Sequence, residues 1–232
     1  RAPGALGVGA LLSGAVFVWN CGLASGGFGG LLIATLIITL MYAGLCFSIA
    51  EMAAALPNTG GAYSFARSAL GPWGAYVTGL AENMEYILTP AVIVVGIGGY
   101  LGAIFGTDAS VEPLWWLGAY AVFVGLNVAG VETTFRFTVV ITALALSVLL
   151  VFWVAAIPHF DLGWALNIEP EPGRSRWLPY GGAGVLSALP FAIWFFLAIE
   201  QLPLAAEEAH TPARDLPPGL LNGLLTLVVA AF

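Results

Sequence analysis

The sequence predicts an all-α integral membrane protein, and three observations lead there. Hydrophobic residues make up 60% of the 232 and charged residues only 8%, where a soluble domain carries roughly 25% charged residues. Apolar runs recur along the whole chain, and a run of about 20 residues is what a helix needs to cross a hydrocarbon layer of roughly 30 Å. Four carboxylates nevertheless stand inside or just beyond these runs: Glu82 and Glu85 between Trp73 and Leu101, and Glu200 and Glu207 in the stretch that starts at Gly184. An ionised acid costs about 2.5 to 3.5 kcal/mol at the bilayer centre on insertion scales, so these side chains are expected to face a cavity, a partner or a moving ion.

The spans follow in order. The first, Leu6 to Trp19, runs on into further apolar sequence with no small-residue cleavage site and polar chain behind it, so it reads as a retained span. The next are expected at Leu31 to Ala55, Trp73 to Leu101, Leu114 to Val128, Phe137 to Ile157 and Gly184 to Ala206. A seventh begins at Leu220 and reaches Phe232 after about a dozen residues, fewer than the roughly 20 of a full span, so the chain is expected to be the front part of a longer protein. Between the second and third spans, Ala62, Phe65, Ala66 and Ala69 recur at helical spacing and predict a short helix lying along the inner face, either as part of a gate or as a connector.

The six basic residues are all arginines. With the N-terminus cytoplasmic, Arg1, Arg67, Arg136 and Arg214 fall inside and only Arg174 and Arg176 fall outside, which is the orientation the positive-inside rule favours. The two outer arginines lie in the longest loop, His159 to Trp177, where Pro170, Pro172 and Gly173 argue against continuous helix. The net charge of -7 and the lack of a basic stretch exclude nucleic acid as a partner. Cys21 and Cys46 lie in or beside apolar segments and read as reduced packing thiols. His159 and His210 stand far apart in loops, which argues against a metal pair. No Ser, His and Asp set or phosphate-cradling loop is visible at membrane depth, so neither an enzyme nor a cofactor is expected.

Two spans carry signs of interruption. In the first, Gly7, Gly9, Ser13 and Gly14 weaken the helix; unwound backbone in a membrane survives only where it lines a cavity or is buried in protein, although the same glycines also serve as close helix-packing contacts. In the sixth, Pro190 removes a backbone donor ten residues before the acid Glu200. Two disturbed helices, five spans apart, predict an inverted five-plus-five repeat: residues 1–157 as the first repeat with helix 1 broken, 158–179 as an outer loop, and 180–232 as the start of the second, with a broken helix 6 and a partial helix 7.

Two sequence blocks carry a resemblance. Ala50-Glu51-Met52, followed by Leu56-Pro57-Asn58-Thr59-Gly60-Gly61-Ala62-Tyr63-Ser64-Phe65-Ala66-Arg67 and Leu70-Gly71-Pro72, resembles the signature after the second helix of the amino acid, polyamine and organocation (APC) transporter superfamily. Ala198-Ile199-Glu200, Ala206-Glu207-Glu208 and Pro212, Arg214, Asp215, Leu216 and Pro217 resemble that superfamily's sixth helix and the turn into its seventh. Within it the chain is most similar to ethanolamine permeases, through Trp19-Asn20, Gly22-Leu23, Gly79 to Glu82, Asn83, Glu85-Tyr86, Gly130 to Glu132, Thr134 to Phe137 and Ala198 to Glu208. Ala15 departs from the pattern, standing where many relatives carry an acid.

The resemblance implies a leucine-transporter-like fold in the plasma membrane, of the bacterial inner-membrane type, and import of ethanolamine coupled to protons or Na⁺. An amino acid or polyamine permease is the alternative, and a channel or receptor a remote one. It implies substrate contacts at Ser13, Gly14 and Ala15, an aromatic gate at Trp194, and unwound carbonyls at Leu197 and Ala198 that meet the amine. From the residues themselves, Glu82, Glu85 and Tyr86 share one helix face at i, i+3 and i+4 and can hold a cation, or instead bond a neighbouring helix. Glu200, in the disturbed sixth span, is the expected ion-coupling acid. Glu207 and Glu208 are expected near the cytoplasmic exit, as a solvated helix end or as a gate pairing with Arg67 or Arg136.

Overall fold

Long apolar helices dominate the computed structural model, which describes residues 3–56, 60–159, 161–208 and 212–232; within these, the side chains of 3–18, 131, 135, 205–208 and 212 are left aside. The α-helices are α1 (Pro3–Ala55), α2 (Gly61–Phe105), α3 (Glu112–Val128), α4 (Val131–Ala156), the short α5 (Leu162–Ala165), α6 (Gly181–Trp194) and α7 (Pro212–Ala231), with a 3-10 helix at Ile199–Glu208. Five helical stretches among the described residues are long and apolar enough to cross a membrane: Trp19–Ala55, Gly61–Phe105, Ala109–Val128, Glu132–His159 and Gly181–Leu204.

The chain divides into two compact units, each with its own packing. The first comprises Arg1–Gly61 and Val139–Phe232. Its centre is α1, whose residues Leu31, Ala34, Thr35, Ile38, Tyr42, Cys46, Ile49, Ala50 and Ala53 are buried, at the three- and four-residue steps of one helix face. Leu36, Ile37, Leu40, Met41 and Phe47 alternate with them and remain exposed, as suits a helix whose other side meets acyl chains. The buried stripe meets α6, the 3-10 helix and α7. Thr35 and Thr39 donate their hydroxyls to the carbonyls of Leu31 and Thr35 at 2.8 and 2.7 Å, so these polar groups enter the helix face already bonded.

α7 supplies the complementary stripe Leu216, Leu220, Leu224, Leu227 and Ala231. Its helix starts at Pro212, eight residues ahead of the expected Leu220. Leu216 belongs to the same buried row, and the prolines and polar residues before Leu220 hide that continuity from a count of apolar residues.

Helix runs through Ser13, Gly14 and Ala15, contrary to the interruption expected there. The described non-helical torsions of α1 fall instead at Gly27 (φ 69°, ψ 174°), which turns the first span directly into the second with no loop between them. Glycine tolerates this positive φ without a Cβ clash, whereas the small residues near Ser13 keep helical torsions.

The second unit, Ala62–Thr138, holds most of α2 together with α3 and the start of α4. The helix expected after the second span is present as the opening of α2, with Phe65 buried on its inner face, while Ala69, expected on the same face, is exposed. Gly71 (φ 75°, ψ -164°) ends that segment, and Pro72 starts the next at a position where its missing N–H costs nothing. At the far end of α2, Phe105 stacks on Trp115 of α3 with ring centres 5.3 Å apart, and Trp115 donates its indole N–H to the Thr107 hydroxyl at 3.1 Å. The α3–α4 corner closes through the Thr134 hydroxyl, which donates to Leu126 O at 2.8 Å.

Candidate functional site

The sixth span breaks. α6 ends at Trp194, a turn occupies residues 195–198, and the chain resumes as the 3-10 helix from Ile199. Pro190, the expected cause, lies inside α6, so the turn comes later than the proline. Through the turn the bonds tighten to three-residue spans: Phe195 N–H to Ala192 O at 3.3 Å, Phe196 N–H to Ile193 O at 3.0 Å, Ile199 N–H to Phe196 O at 3.4 Å and Gln201 N–H to Ala198 O at 3.3 Å. Ala198 adopts φ 76°, the one positive φ of a non-glycine residue among those described. For an L-residue with a Cβ that conformation costs about 1 to 2 kcal/mol, and such strain persists only where surrounding packing enforces it.

The packing that enforces it is aromatic. Phe195 and Phe196 are fully buried. Phe195 meets Trp19 with ring centres 5.3 Å apart, and Phe196 stacks on Tyr42 at 5.4 Å and 29°. Both partners come from α1, Trp19 before the kink at Gly27 and Tyr42 after it, so rings from two spans hold the unwound turn. Ile199, immediately after the turn, is also fully buried.

Glu200 completes the turn electrostatically. Its Oε1 accepts the Ala198 N–H at 3.1 Å, a bond from a carboxylate to the amide that the break has released from the helical ladder. The buried Cys46 thiol of α1 lies within electrostatic reach of the same carboxylate. The arrangement therefore puts an acid, a strained backbone turn and the end of a helix at one place inside an apolar unit. The C-terminal end of α6 carries the negative end of its helix dipole, so the turn favours a cation over an anion.

Trp194, at the end of α6, and Leu197 and Ala198, in the turn, are half-buried. Trp19 belongs to the Trp19-Asn20 pair of the resemblance, whereas Tyr42 and Cys46 are additional residues here that no motif includes. Their signal is the three- and four-residue step that carries Leu31, Thr35, Ile38, Tyr42 and Cys46 along α1, in which the members that are not aliphatic mark the inward face.

Glu82, Glu85 and Tyr86 belong to the second unit, on α2. The structure brings these three together, as their spacing predicts: Tyr86 presents its hydroxyl to the Glu82 carboxylate, and Glu85 lies close enough for the two acids to repel. It adds a partner that spacing alone does not show, the backbone N–H of Tyr63, which also meets the Glu82 carboxylate. That amide sits in the first turn of α2, where N–H groups have no helical acceptor. The elbow at Gly71 folds this turn back along the helix, and a Cβ added at Gly79 would lie 3.0 Å from the Tyr63 ring.

Arg67 is exposed and donates to the Tyr63 hydroxyl at 3.4 Å. Arg136 pairs with Glu132 at 2.6 Å, with both side chains largely exposed. The backbone of Glu207 and Glu208 forms the end of the 3-10 helix; their side chains, and those of Ser13 and Ala15, lie outside the described residues. No group of His, Cys, Asp and Glu that could hold a metal occurs among the described residues.

Residues 4–230 match the amino acid permease family. An uncharacterized transporter of Rhizobium meliloti is 34% identical over 231 residues, covering 98% of this chain and 49% of that protein. The branched-chain amino acid permease BcaP of Bacillus subtilis is 26% identical over 242 residues, covering 97% of this chain and 50% of the permease. The chloroplastic cationic amino acid transporter 7 of Arabidopsis thaliana is 25% identical over 244 residues, covering 97% and 41%. The chain thus spans about half the length of the curated relatives it matches.

Proposed function

The chain belongs to the amino acid permease family, and from that premise we propose that it forms part of a secondary active permease that imports a small organic ammonium solute, with ethanolamine the first candidate, by alternating access. The observation that carries the reading is the Glu200 carboxylate seated on the Ala198 amide at the broken sixth span. A carboxylate already occupies the amide that the break releases, so an anionic group of a cargo finds that donor taken, while an ammonium finds a negative neighbour. Ethanolamine offers an ammonium and a hydroxyl and no carboxylate, which suits this end of the site.

In this reading Leu197 and Ala198 turn carbonyls toward the amine and Trp194 closes over it; a cation on an indole face gains roughly 0.5 to 2 kcal/mol. Ser13, Gly14 and Ala15 line the cavity from the first span, and Glu82, Glu85 and Tyr86 supply a second cation-holding face. Glu200 exchanges a proton as the cavity changes sides, which couples uptake to the gradient. Arg67, Glu207 and Glu208 gate the cytoplasmic exit, with the N-terminus on that side of a bacterial inner membrane. Residues 1–157 make up one repeat, 158–179 an outer loop, and 180–232 open the second repeat.

A second reading, an amino acid permease, is favoured by the names of the Bacillus and Arabidopsis relatives. Uptake of labelled ethanolamine into proteoliposomes containing the complete permease, with imposed proton or Na⁺ gradients, separates the two. Saturable uptake that excess leucine and arginine leave untouched supports the amino alcohol; amino acid uptake with no ethanolamine flux replaces it. Glu200→Gln is expected to insert normally and to lose gradient-driven accumulation, and unchanged accumulation removes Glu200 from the coupling step.

A further inference from the structure

The stretch between α5 and α6 has no task in the transport reading, yet its backbone is closely cross-bonded. Glu171 N–H donates to Pro179 O at 3.1 Å, Arg174 N–H to Glu171 O at 2.9 Å, and Gly181 N–H to Leu178 O at 3.1 Å. Leu178 N–H reaches both Ser175 O at 3.1 Å and Ser175 Oγ at 3.2 Å, and these two residues form an isolated antiparallel bridge. The result is a self-closed knuckle leading straight into the first turn of α6.

The knuckle sits on the kink of α1. Positive φ at Gly27 ends one helix and starts another, so the amides just after it lack helical acceptors. Gly29 N–H finds one in Trp177 O at 3.1 Å. Phe28 meets the Trp177 ring edge-on, with centres 5.3 Å apart at 73°. Pro179 is fully buried, and its ring fills the space a Cβ at Gly27 would need. Just beyond, a Cβ added at Gly26 would lie 2.8 Å from Ala188 Cβ and 2.9 Å from Gly184 O, so the two helices touch backbone to backbone.

We propose that residues 171–181 are a rigid clasp fastening the kink of α1 to the start of α6, so that these two parts move as one body and the shape change of transport falls on the turn at 195–198. Parting the clasp would strand the Gly29 amide and uncover the Pro179 ring together. The turn at 195–198, by contrast, holds backbone bonds of 3.0 to 3.4 Å and a strained alanine whose positive φ is relieved by rearranging. The movement part of this proposal rests on the transport reading; the rigidity part does not.

Two measurements on the complete permease test it. Phe28→Cys with Trp177→Cys, on a background free of other cysteines, is bridged by a short reducible bifunctional thiol reagent, and ethanolamine and leucine uptake are measured before and after. Bridged protein is expected to keep at least about half its uptake rate, and a loss of about tenfold that reduction restores overturns the clasp. Hydrogen exchange of the unmodified protein needs neither cysteines nor flux. The Gly29 amide is expected to exchange at least about tenfold more slowly than that of Ala198, and equal or faster exchange at Gly29 overturns the rigid joint even where no uptake is found.

Discussion

Replacing Ala198 by glycine gives a test in which the sign of the effect carries the answer. In a regular helix, Ala→Gly destabilises by about 1 kcal/mol. Ala198 has φ 76°, where a Cβ costs about 1 to 2 kcal/mol that glycine does not incur. Against this relief stands the greater freedom of glycine in the unfolded chain, roughly 0.4 to 1 kcal/mol. The balance for Ala198→Gly lies between about zero and about 1.6 kcal/mol of stabilisation, in contrast to the loss of the helical case. Thermal or denaturant unfolding of the detergent-purified permease measures it, with Ala192→Gly, inside α6, as the helical control. If both variants lose stability to the same extent, residue 198 is helical and the broken-span account of the site fails. Ala198→Val adds a β-branch to the same strained backbone and is expected to lower stability further below wild type.

Three further outcomes are expected. Phe196 is fully buried against Tyr42, so Phe196→Ala should cost about 3 to 5 kcal/mol in unfolding, while Tyr42→Phe, which keeps the stacked ring, should lose much less in the same assay. Gly26→Leu places side-chain atoms where Gly184 O and Ala188 Cβ already stand, and should lower the melting midpoint more than Gly99→Leu, where a Cβ meets nothing within 4 Å. Glu132→Gln breaks an ion pair whose side chains are 78% and 80% exposed, so unfolding free energy should move by less than about 1 kcal/mol, and the small change should shrink further in high salt.

The sixth-span break is legible in the sequence because an acid in an apolar run has to be accommodated, and a nearby proline advertises a weak ladder. Its seat is less legible: the proline stays helical, and the turn is set by Trp19 and Tyr42, aromatic rings from two spans distant in sequence. Nothing local announces positive φ at Ala198, since residue type alone would assign that role to a glycine. The grouping of Glu82, Glu85 and Tyr86 follows directly from helical spacing, whereas the Tyr63 amide joins them only through the elbow at Gly71. The first span misleads in the other direction. Its glycines and Ser13 resemble a breaking point, but the turn goes to Gly27, where the knuckle before α6 has carbonyls and a proline ring ready to receive it.

The meeting of the Glu82 carboxylate with the Tyr63 amide bears on how the protein is made. Both groups lie on α2, either side of the Gly71 elbow, so closing this small loop costs little chain entropy compared with pairings that await distant segments. The nascent chain can therefore shield this acid while it is still being threaded into the bilayer, as soon as the ribosome has delivered the residues around Tyr86. Substitutions at Gly71 should accordingly show themselves first as failed insertion during synthesis, before any defect in the finished protein can be measured.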